Sequence, residues 1–212
     1  MSRTPHTKTP ETAPAGGKAP DPARRSDRSR RAILDAALAL VGEVGYNKLT
    51  IEAIAARAGV GKQTIYRWWP SKAAVLLDAS LALAGDAPTA DGRTGLPDTG
   101  DLAADLKQVL RATVDEFNDP AYDAPLRALT AAGATDPELA ARFTERLLAP
   151  QLALYEDRLR SARAVGQLAE GADLRLMTEM LLGPLTYRWL LRTAPLSHAF
   201  ADALVDAVVA TA

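Results

Sequence analysis

Residues 49–72 read LTIEAIAARAGVGKQTIYRWWPSK, and their pattern predicts the fold of the N-terminal part of the chain. Thr50 is well suited to cap a short helix, because its hydroxyl can accept a hydrogen bond from a free backbone N–H. A Gly-Val-Gly segment at 59–61 ends that helix, and a second short helix is predicted from about Lys62 to Trp68. Two short helices joined by a glycine-containing turn predict a helix-turn-helix.

Longer amphipathic helices are predicted on both sides of this motif. The apolar positions upstream recur with the i, i+3/i+4, i+7 spacing of one buried stripe, and Gly45 follows them as a stop signal. This stripe consists of Ile33, Leu34, Ala37, Leu40, Val41 and Val44. Downstream, Ser71 is a cap for a helix whose apolar face includes Val75, Leu76, Ala79 and Leu83.

The rest of the chain has the same helical periodicity, and no segment of it reads as a strand. Asp, Gly, Pro and Thr residues over 86–100 indicate a loop. Helices are then predicted at about 102–117, 126–132, 136–165, 173–192 and 197–211. Pro150 predicts a kink in the longest of them. The predicted fold class is all-α, with about nine helices.

Charge is distributed unevenly along a chain whose net charge is only −1. Residues 1–72 contain 13 Lys/Arg against 6 Asp/Glu, whereas residues 73–212 contain 12 against 20. The basic N-terminal part suggests a polyanionic partner, although a basic tail that merely aids solubility explains the same counts.

Composition argues against an enzyme, a metalloprotein and a membrane protein. The chain has no cysteine and only two histidines, and it shows neither a Gly-rich phosphate loop nor metal-ligand spacing. We therefore expect no cofactor, no metal and no catalytic residues. No apolar run approaches the roughly 20 residues that span a bilayer, and the Pro- and Arg-rich start lacks the hydrophobic stretch of a secretory signal. These features predict a soluble, cytoplasmic protein without membrane contact.

The run 49–72 closely resembles the DNA-binding domain of TetR-family repressors, and the pattern extends over about Ser29 to Leu77. Near the C-terminus, the segments LGPLTYR at 182–188 and PL at 195–196 resemble the last two helices of an actinobacterial-type subgroup. The resemblance implies a transcriptional regulator with three regions. These are a disordered basic tail (1–26), a helix-turn-helix DNA-binding domain (27–73) and a helical regulatory and dimerisation domain (74–212).

DNA contacts can be assigned by carrying the resemblance over residue by residue. It gives Thr50 and Lys72 phosphate contacts, and it places Lys62, Gln63 and Thr64 in the major groove at the start of the recognition helix. Tyr66 and Trp68 are expected to contact the backbone or a thymine methyl. Of the two adjacent tryptophans, we expect Trp68 at the DNA surface and Trp69 in the core. The basic tail either follows phosphates or a minor groove, or is inert.

The C-terminal half is expected to form a homodimer and to enclose a small-molecule pocket. The last two helices carry the residues expected at the dimer interface, Gly183, Leu185, Phe200, Leu204 and Val208. Aromatic side chains are the candidates for the pocket wall, with Phe117, Tyr155 and Trp189 preferred. Arg146 and Arg188 interrupt apolar surroundings, where each meets either an anionic ligand or a carboxylate of the protein.

The leading hypothesis is a dimeric repressor that binds double-stranded DNA at a palindromic operator and is released by an unidentified small-molecule effector. A second hypothesis retains DNA binding without an effector, in a constitutive or partner-controlled regulator. An enzyme is the distant alternative, and it would require a pocket with strongly shifted carboxylates.

Overall fold

The computed structural model of the chain describes residues 22–86 and 95–210, and over these residues every regular element is helical. The ten α-helices are α1 (Pro22–Val44), α2 (Ile51–Ala58), α3 (Lys62–Tyr66), α4 (Lys72–Asp86), α5 (Leu102–Asn118), α6 (Pro120–Gly133), α7 (Pro137–Phe143), α8 (Ala149–Ala164), α9 (Leu174–Leu191) and α10 (His198–Val209). A 3-10 turn (Tyr46–Lys48) precedes α2, and a π-helical turn (Thr144–Leu148) joins α7 to α8. The all-α prediction is confirmed.

The helix-turn-helix forms for the local reasons that the sequence indicates. The Thr50 hydroxyl accepts a hydrogen bond from Ala53 N at 3.1 Å and caps α2. Gly59 ends α2 in the left-handed region, at φ 67°, which a residue with a Cβ adopts only with strain. Ile54 and Ile65, one from each short helix, are fully buried. The two helices are therefore held against α1 and α4 by a shared apolar core.

Two apolar cores organise the described residues. One is shared by α1–α4 and extends into α6 and α7 through Ala128, Leu129, Ala132 and Leu139. The other is formed by α5, α8, α9 and α10. Because α6 packs on α1, α4 and α5, it connects the helix-turn-helix bundle to the C-terminal helices.

Where a kink is expected at Pro150, the structure has a π-helical turn directly before the proline. Residues 137–164 run as one continuous helix, since Phe143, Thr144 and Ala149 all have right-handed helical dihedrals. Proline has no N–H to donate and its ring crowds the carbonyl four residues earlier, here that of Arg146. A widened turn placed directly before Pro150 relieves that clash.

Two predicted boundaries differ from the structure. Helix α1 begins at Pro22, so residues 22–26 of the expected tail are helical, while residues 1–21 lie outside the described residues. Helix α6 begins at Pro120 rather than near Leu126, because the Asp119 carboxylate caps it through Ala121 N at 2.8 Å. An Asp-Pro pair at 119–120 signalled that start. None of the described helices combines the length and hydropathy needed to cross a membrane.

Candidate DNA-binding surface and ligand cavity

The outer face of α3 carries the residues expected to meet the DNA. Lys62, Gln63 and Tyr66 are exposed, and Thr64 is half-buried. Ile65, on the opposite face of the same helix, is fully buried and anchors it. The surface therefore consists of one cation, one amide, one hydroxyl and one phenol on a rigid element. An amide in the major groove can pair bidentately with adenine, and an ammonium group can pair with guanine.

Two of the cationic side chains at or beside this surface form ion pairs with carboxylates. Lys62 Nζ lies 3.0 Å from Glu52 Oε1, and both side chains are largely exposed. Arg57 makes a bidentate pair with Glu43, at 2.9 and 2.7 Å. Exposed pairs of this kind contribute little to stability, so a phosphate or a base edge can replace the carboxylate at small cost. The Thr50 hydroxyl can also bind a phosphate, because it accepts a hydrogen bond from Ala53 N and its own hydrogen is still free to donate.

Lys72 has a structural role that its position in the motif did not reveal. Its ammonium group donates to the carbonyl oxygens of Tyr46 and Leu49, at 2.9 and 2.8 Å. It also lies 4.4 Å from the centre of the Tyr46 ring. Two of its three donors therefore hold the α1–α2 connection against the start of α4. A phosphate contact by Lys72 stays a prediction, and it would have to use the remaining donor.

The two adjacent tryptophans occupy different environments, as expected. Trp69 is 3% exposed and packs in the core of the bundle. Trp68 is half-buried, with its ring edge-on to that of Trp69 and the Arg67 guanidinium 5.0 Å from its centre. Of the two, Trp68 is the one that stays accessible at the end of α3.

Asp78, on α4, connects the bundle to the helices behind it. Its carboxylate accepts hydrogen bonds from Trp69 Nε1 at 2.9 Å, Arg30 Nη2 at 3.0 Å and Arg146 Nη1 at 2.7 Å. Burial raises the pKa of Asp78, but the hydrogen bonds from Trp69 and Arg146 outweigh burial and leave the pKa below its ordinary value. Arg146 therefore meets a carboxylate of the protein. No sequence signal singles out Asp78, because its partners Arg30, Trp69 and Arg146 are 48, 9 and 68 residues away.

A cavity of about 630 Å³ lies behind the bundle, bounded by α4, α5, α6, α9 and the α7–α8 segment. All three preferred aromatic residues line it, with the rings of Phe117 and Trp189 stacked 5.0 Å apart. Burial raises the pKa of Tyr155 to about 12. The rest of the wall is mainly aliphatic, and its members include Leu83, Val109, Leu126, Leu147, Leu148, Leu152 and Leu182. Volume and lining are those of a site for a small apolar molecule.

The N-terminal bundle and the C-terminal helices each match a model of the same protein family. Residues 33–79 match the model for bacterial regulatory proteins of the tetR family, and residues 96–208 match the model for the tetracyclin repressor-like C-terminal domain. The chain belongs to the TetR family. It is a DNA-binding transcriptional regulator, as expected from the run 49–72.

Relatives of this TetR-family regulator span nearly its whole length. It is 32% identical over 182 residues to the HTH-type regulator YdeS of Bacillus subtilis, covering 85% of this chain and 88% of that protein. It is 30% identical to the DNA-binding transcriptional repressor TetR of Mycobacteroides abscessus, covering 87% and 94%. The crystal structure of the TetR-family regulator SCO0332 is 34% identical, with a TM-score of 0.69 over 87% of this chain and 98% of that one.

In this TetR-family chain, two residues expected at a dimer interface lie inside the protomer. Leu185 is fully buried in the core of α5, α8, α9 and α10, and Val208 is nearly so. Neither can contact a partner subunit, and for these two residues the expectation is wrong. Phe200 and Leu204 are half-buried, with the Arg188 guanidinium 3.4 Å from the centre of the Phe200 ring. Gly183 is exposed on α9.

A different face of α9 presents apolar side chains to solvent. Residues 176, 180, 183, 187 and 190 recur at the spacing of one helical stripe. The large exposed members of this stripe are Leu176, Met180, Tyr187 and Leu190, and the adjacent Leu191 is exposed as well. The neighbouring α10 exposes small residues, Ala199, Ala203 and Ala207, which allow another helix to approach closely. The exposed apolar residues of α9 and the exposed alanines of α10 together form the α9–α10 face.

Proposed function

We propose that this regulator is a cytoplasmic, dimeric repressor that binds a palindromic operator and is released from it by a small apolar effector. The observation that carries the proposal is the cavity of about 630 Å³. Its wall includes Ser80 and Leu83 of α4, the helix that also bears Asp78 and Lys72. An occupant of the cavity therefore touches the element that fixes the position of the helix-turn-helix.

A relative supports the effector part of the proposal. SmeT, which has been solved as a complex with triclosan, is 26% identical, with a TM-score of 0.64 over 86% of this chain and 90% of that one. A small organic molecule would likewise fit the apolar lining of the cavity in this chain.

The dimer is proposed from the α9–α10 face. Exposed apolar patches on one helix face mark interaction sites, because leaving large side chains in water costs free energy. A twofold axis through this face would pack α9 and α10 against their copies as a four-helix bundle. Such a dimer presents two copies of α3, which can enter successive major grooves about 34 Å apart. A palindromic operator follows from that symmetry.

Release would pass through Asp78. Arg146 lies in the π-helical turn, next to Leu147 and Leu148 of the cavity wall, and it is bound to Asp78. A ligand that displaces this turn or α4 would strain the ion pair and shift the bundle relative to the C-terminal helices. The ligand acts only if it prefers the shifted arrangement, since equal affinity for both arrangements changes nothing.

DNA contacts are proposed for the exposed face of the motif, namely Thr50, Lys62, Gln63, Thr64, Tyr66 and Trp68. Lys62 and Gln63 would read bases, and the others would position the helix on the backbone. Lys72 is assigned chiefly to the stability of the bundle, with at most one donor left for a phosphate.

The test is capture of sheared genomic DNA by the purified protein, followed by sequencing. The double variant Gln63→Ala/Tyr66→Ala removes two exposed groups without touching the core, and Gln108→Ala on the exposed side of α5 is the matched control. We expect a twofold-symmetric site that the wild type and the control enrich and the double variant does not. Equal enrichment by all three proteins would contradict the assignment of the surface. An asymmetric site would contradict the dimer.

A further inference from the structure

The cavity wall is acidic where it is charged. Among the described lining residues the charged ones are Glu116 and Glu179, and none is Lys, Arg or His. Glu179 Oε1 is already paired with Arg175 Nε at 2.7 Å. The carboxylate of Glu116 makes no ion pair and accepts no hydrogen bond within residues 22–86 and 95–210. A carboxylate without a counterion therefore lies at the wall of an apolar cavity.

Glu116 is close to the aromatic part of the wall. It directly precedes Phe117 in α5, and its negative charge raises the pKa of both Tyr122 and Tyr155, although burial is the larger cause for each phenol. Burial also raises the pKa of Glu116 itself. The Glu116 side chain is nevertheless exposed to solvent in part. Its charged form is therefore only partly desolvated, and a cation held in the cavity would stabilise it.

Ser80 supplies a second unsatisfied polar group. Its hydroxyl oxygen is buried and has no hydrogen-bond partner, and the residue lies at the α4 side of the cavity. Buried hydroxyls in proteins are normally paired, so one left without a partner at a cavity wall points to a ligand that completes it. Together with Glu116 it gives the apolar cavity two polar attachment points.

We infer that the effector is an apolar cation, meaning a drug-sized molecule with an aliphatic or aromatic body and a basic nitrogen whose charge pairs with Glu116. This inference rests on the proposed ligand-released function and names the chemical class that the cavity selects. The body fills the aliphatic and aromatic wall, and Tyr155 can offer a ring face to the cation. The Trp189 ring is already covered by Phe117 and by the Arg127 guanidinium, 4.4 Å from its centre. An organic anion of the same shape would instead be repelled by the charge of Glu116.

Matched probes separate charge from shape. Decylamine, decan-1-ol and decanoate share one chain, and 4-phenylbutylamine, 4-phenylbutan-1-ol and 4-phenylbutanoate share another. Each is titrated below its micelle concentration into the full chain by calorimetry. The change in tryptophan fluorescence, to which the cavity residue Trp189 contributes beside Trp68 and Trp69, is a second readout. The key variant is Glu116→Gln, which keeps the size of the side chain. Glu170→Gln, an exposed carboxylate outside the cavity, is the control.

We expect each amine to bind at least about tenfold more tightly than its carboxylate, the value of one charge-assisted contact. Glu116→Gln should weaken amine binding by about the same factor and leave alcohol binding unchanged, whereas Glu170→Gln should change neither. The inference is overturned if carboxylates bind as tightly as amines, if Glu116→Gln affects amine and alcohol equally, or if neither amine binds.

Operator affinity, measured in parallel by fluorescence anisotropy, distinguishes this inference from the function on which it rests. Amines that bind through Glu116 and leave operator affinity unchanged would uphold the cationic site and refute ligand release. Carboxylates that release the operator while amines fail to bind would uphold ligand release and refute the cationic site.

Discussion

Replacing Asp78 by alanine should destabilise the protein by about 2–4 kcal/mol, and the structure supports that magnitude contact by contact. The Asp78 side chain is only 15% exposed, and its removal leaves the buried Trp69 indole N–H without an acceptor. An unsatisfied buried donor costs about 1–3 kcal/mol. Arg30 and Arg146 are 51% and 49% exposed. Solvent screens these pairs, so each adds at most about 1 kcal/mol.

The pH dependence of the same site has a definite sign. The pKa of Asp78 in the folded protein lies below its ordinary value. The charged carboxylate therefore stabilises the fold at pH values above the unfolded pKa of about 3.9, and this contribution is lost as the pH falls through the lowered folded pKa. The stability gap between the wild type and Asp78→Asn should be full near neutral pH and should shrink below about pH 4.

Urea denaturation followed by tryptophan fluorescence measures both effects, with all proteins at one protomer concentration because a dimer couples stability to concentration. Asp35→Ala, an exposed carboxylate on α1, is the control and should change the free energy of unfolding by less than about 0.5 kcal/mol. The structural role assigned to Asp78 is wrong if Asp78→Ala is no more destabilising than this control. A gap between wild type and Asp78→Asn that persists undiminished at pH 3 would refute the assigned charge effect.

Four further outcomes follow from individual contacts. Lys72→Ala should lower the free energy of unfolding by about 1–3 kcal/mol, because the carbonyls of Tyr46 and Leu49 lose their donor. Urea denaturation measures this loss, and an unchanged midpoint would mean that Lys72 does not stabilise the bundle. Gln63→Ala should relax preference at one base pair by about 1–3 kcal/mol in a randomised-operator competition, with the salt dependence of binding unchanged. Arg158→Ala should cost about 3–5 kcal/mol in thermal unfolding, since Asp105, bound at 2.8 Å, would stay buried without its counterion. Met180→Glu should give monomers in sedimentation velocity, and a persistent dimer would place the interface elsewhere than the α9–α10 face.

The helix-turn-helix could be predicted from the sequence because every signal that defines it is local. Thr50 caps the helix that follows it, Gly59 ends the same helix, and the apolar stripe of α1 recurs within one element. The family resemblance also depends on one uninterrupted run, which is why the function class followed from it. The aromatic residues of the cavity could be predicted because the C-terminal half contains few aromatic side chains.

Packing in three dimensions determines which groups meet across long separations in the sequence. Periodicity shows that α9 is apolar on more than one side, but it does not say which side faces the protomer's own core. The fold buries Leu185 and leaves Met180 and Tyr187 in solvent. Likewise, no local pattern distinguishes Asp78, Lys72 or Glu116 from carboxylates and amines on solvated faces. Their roles follow from packing, which brings Asp78 to an arginine 68 residues away, places carbonyls around Lys72, and leaves Glu116 at an apolar wall without a counterion.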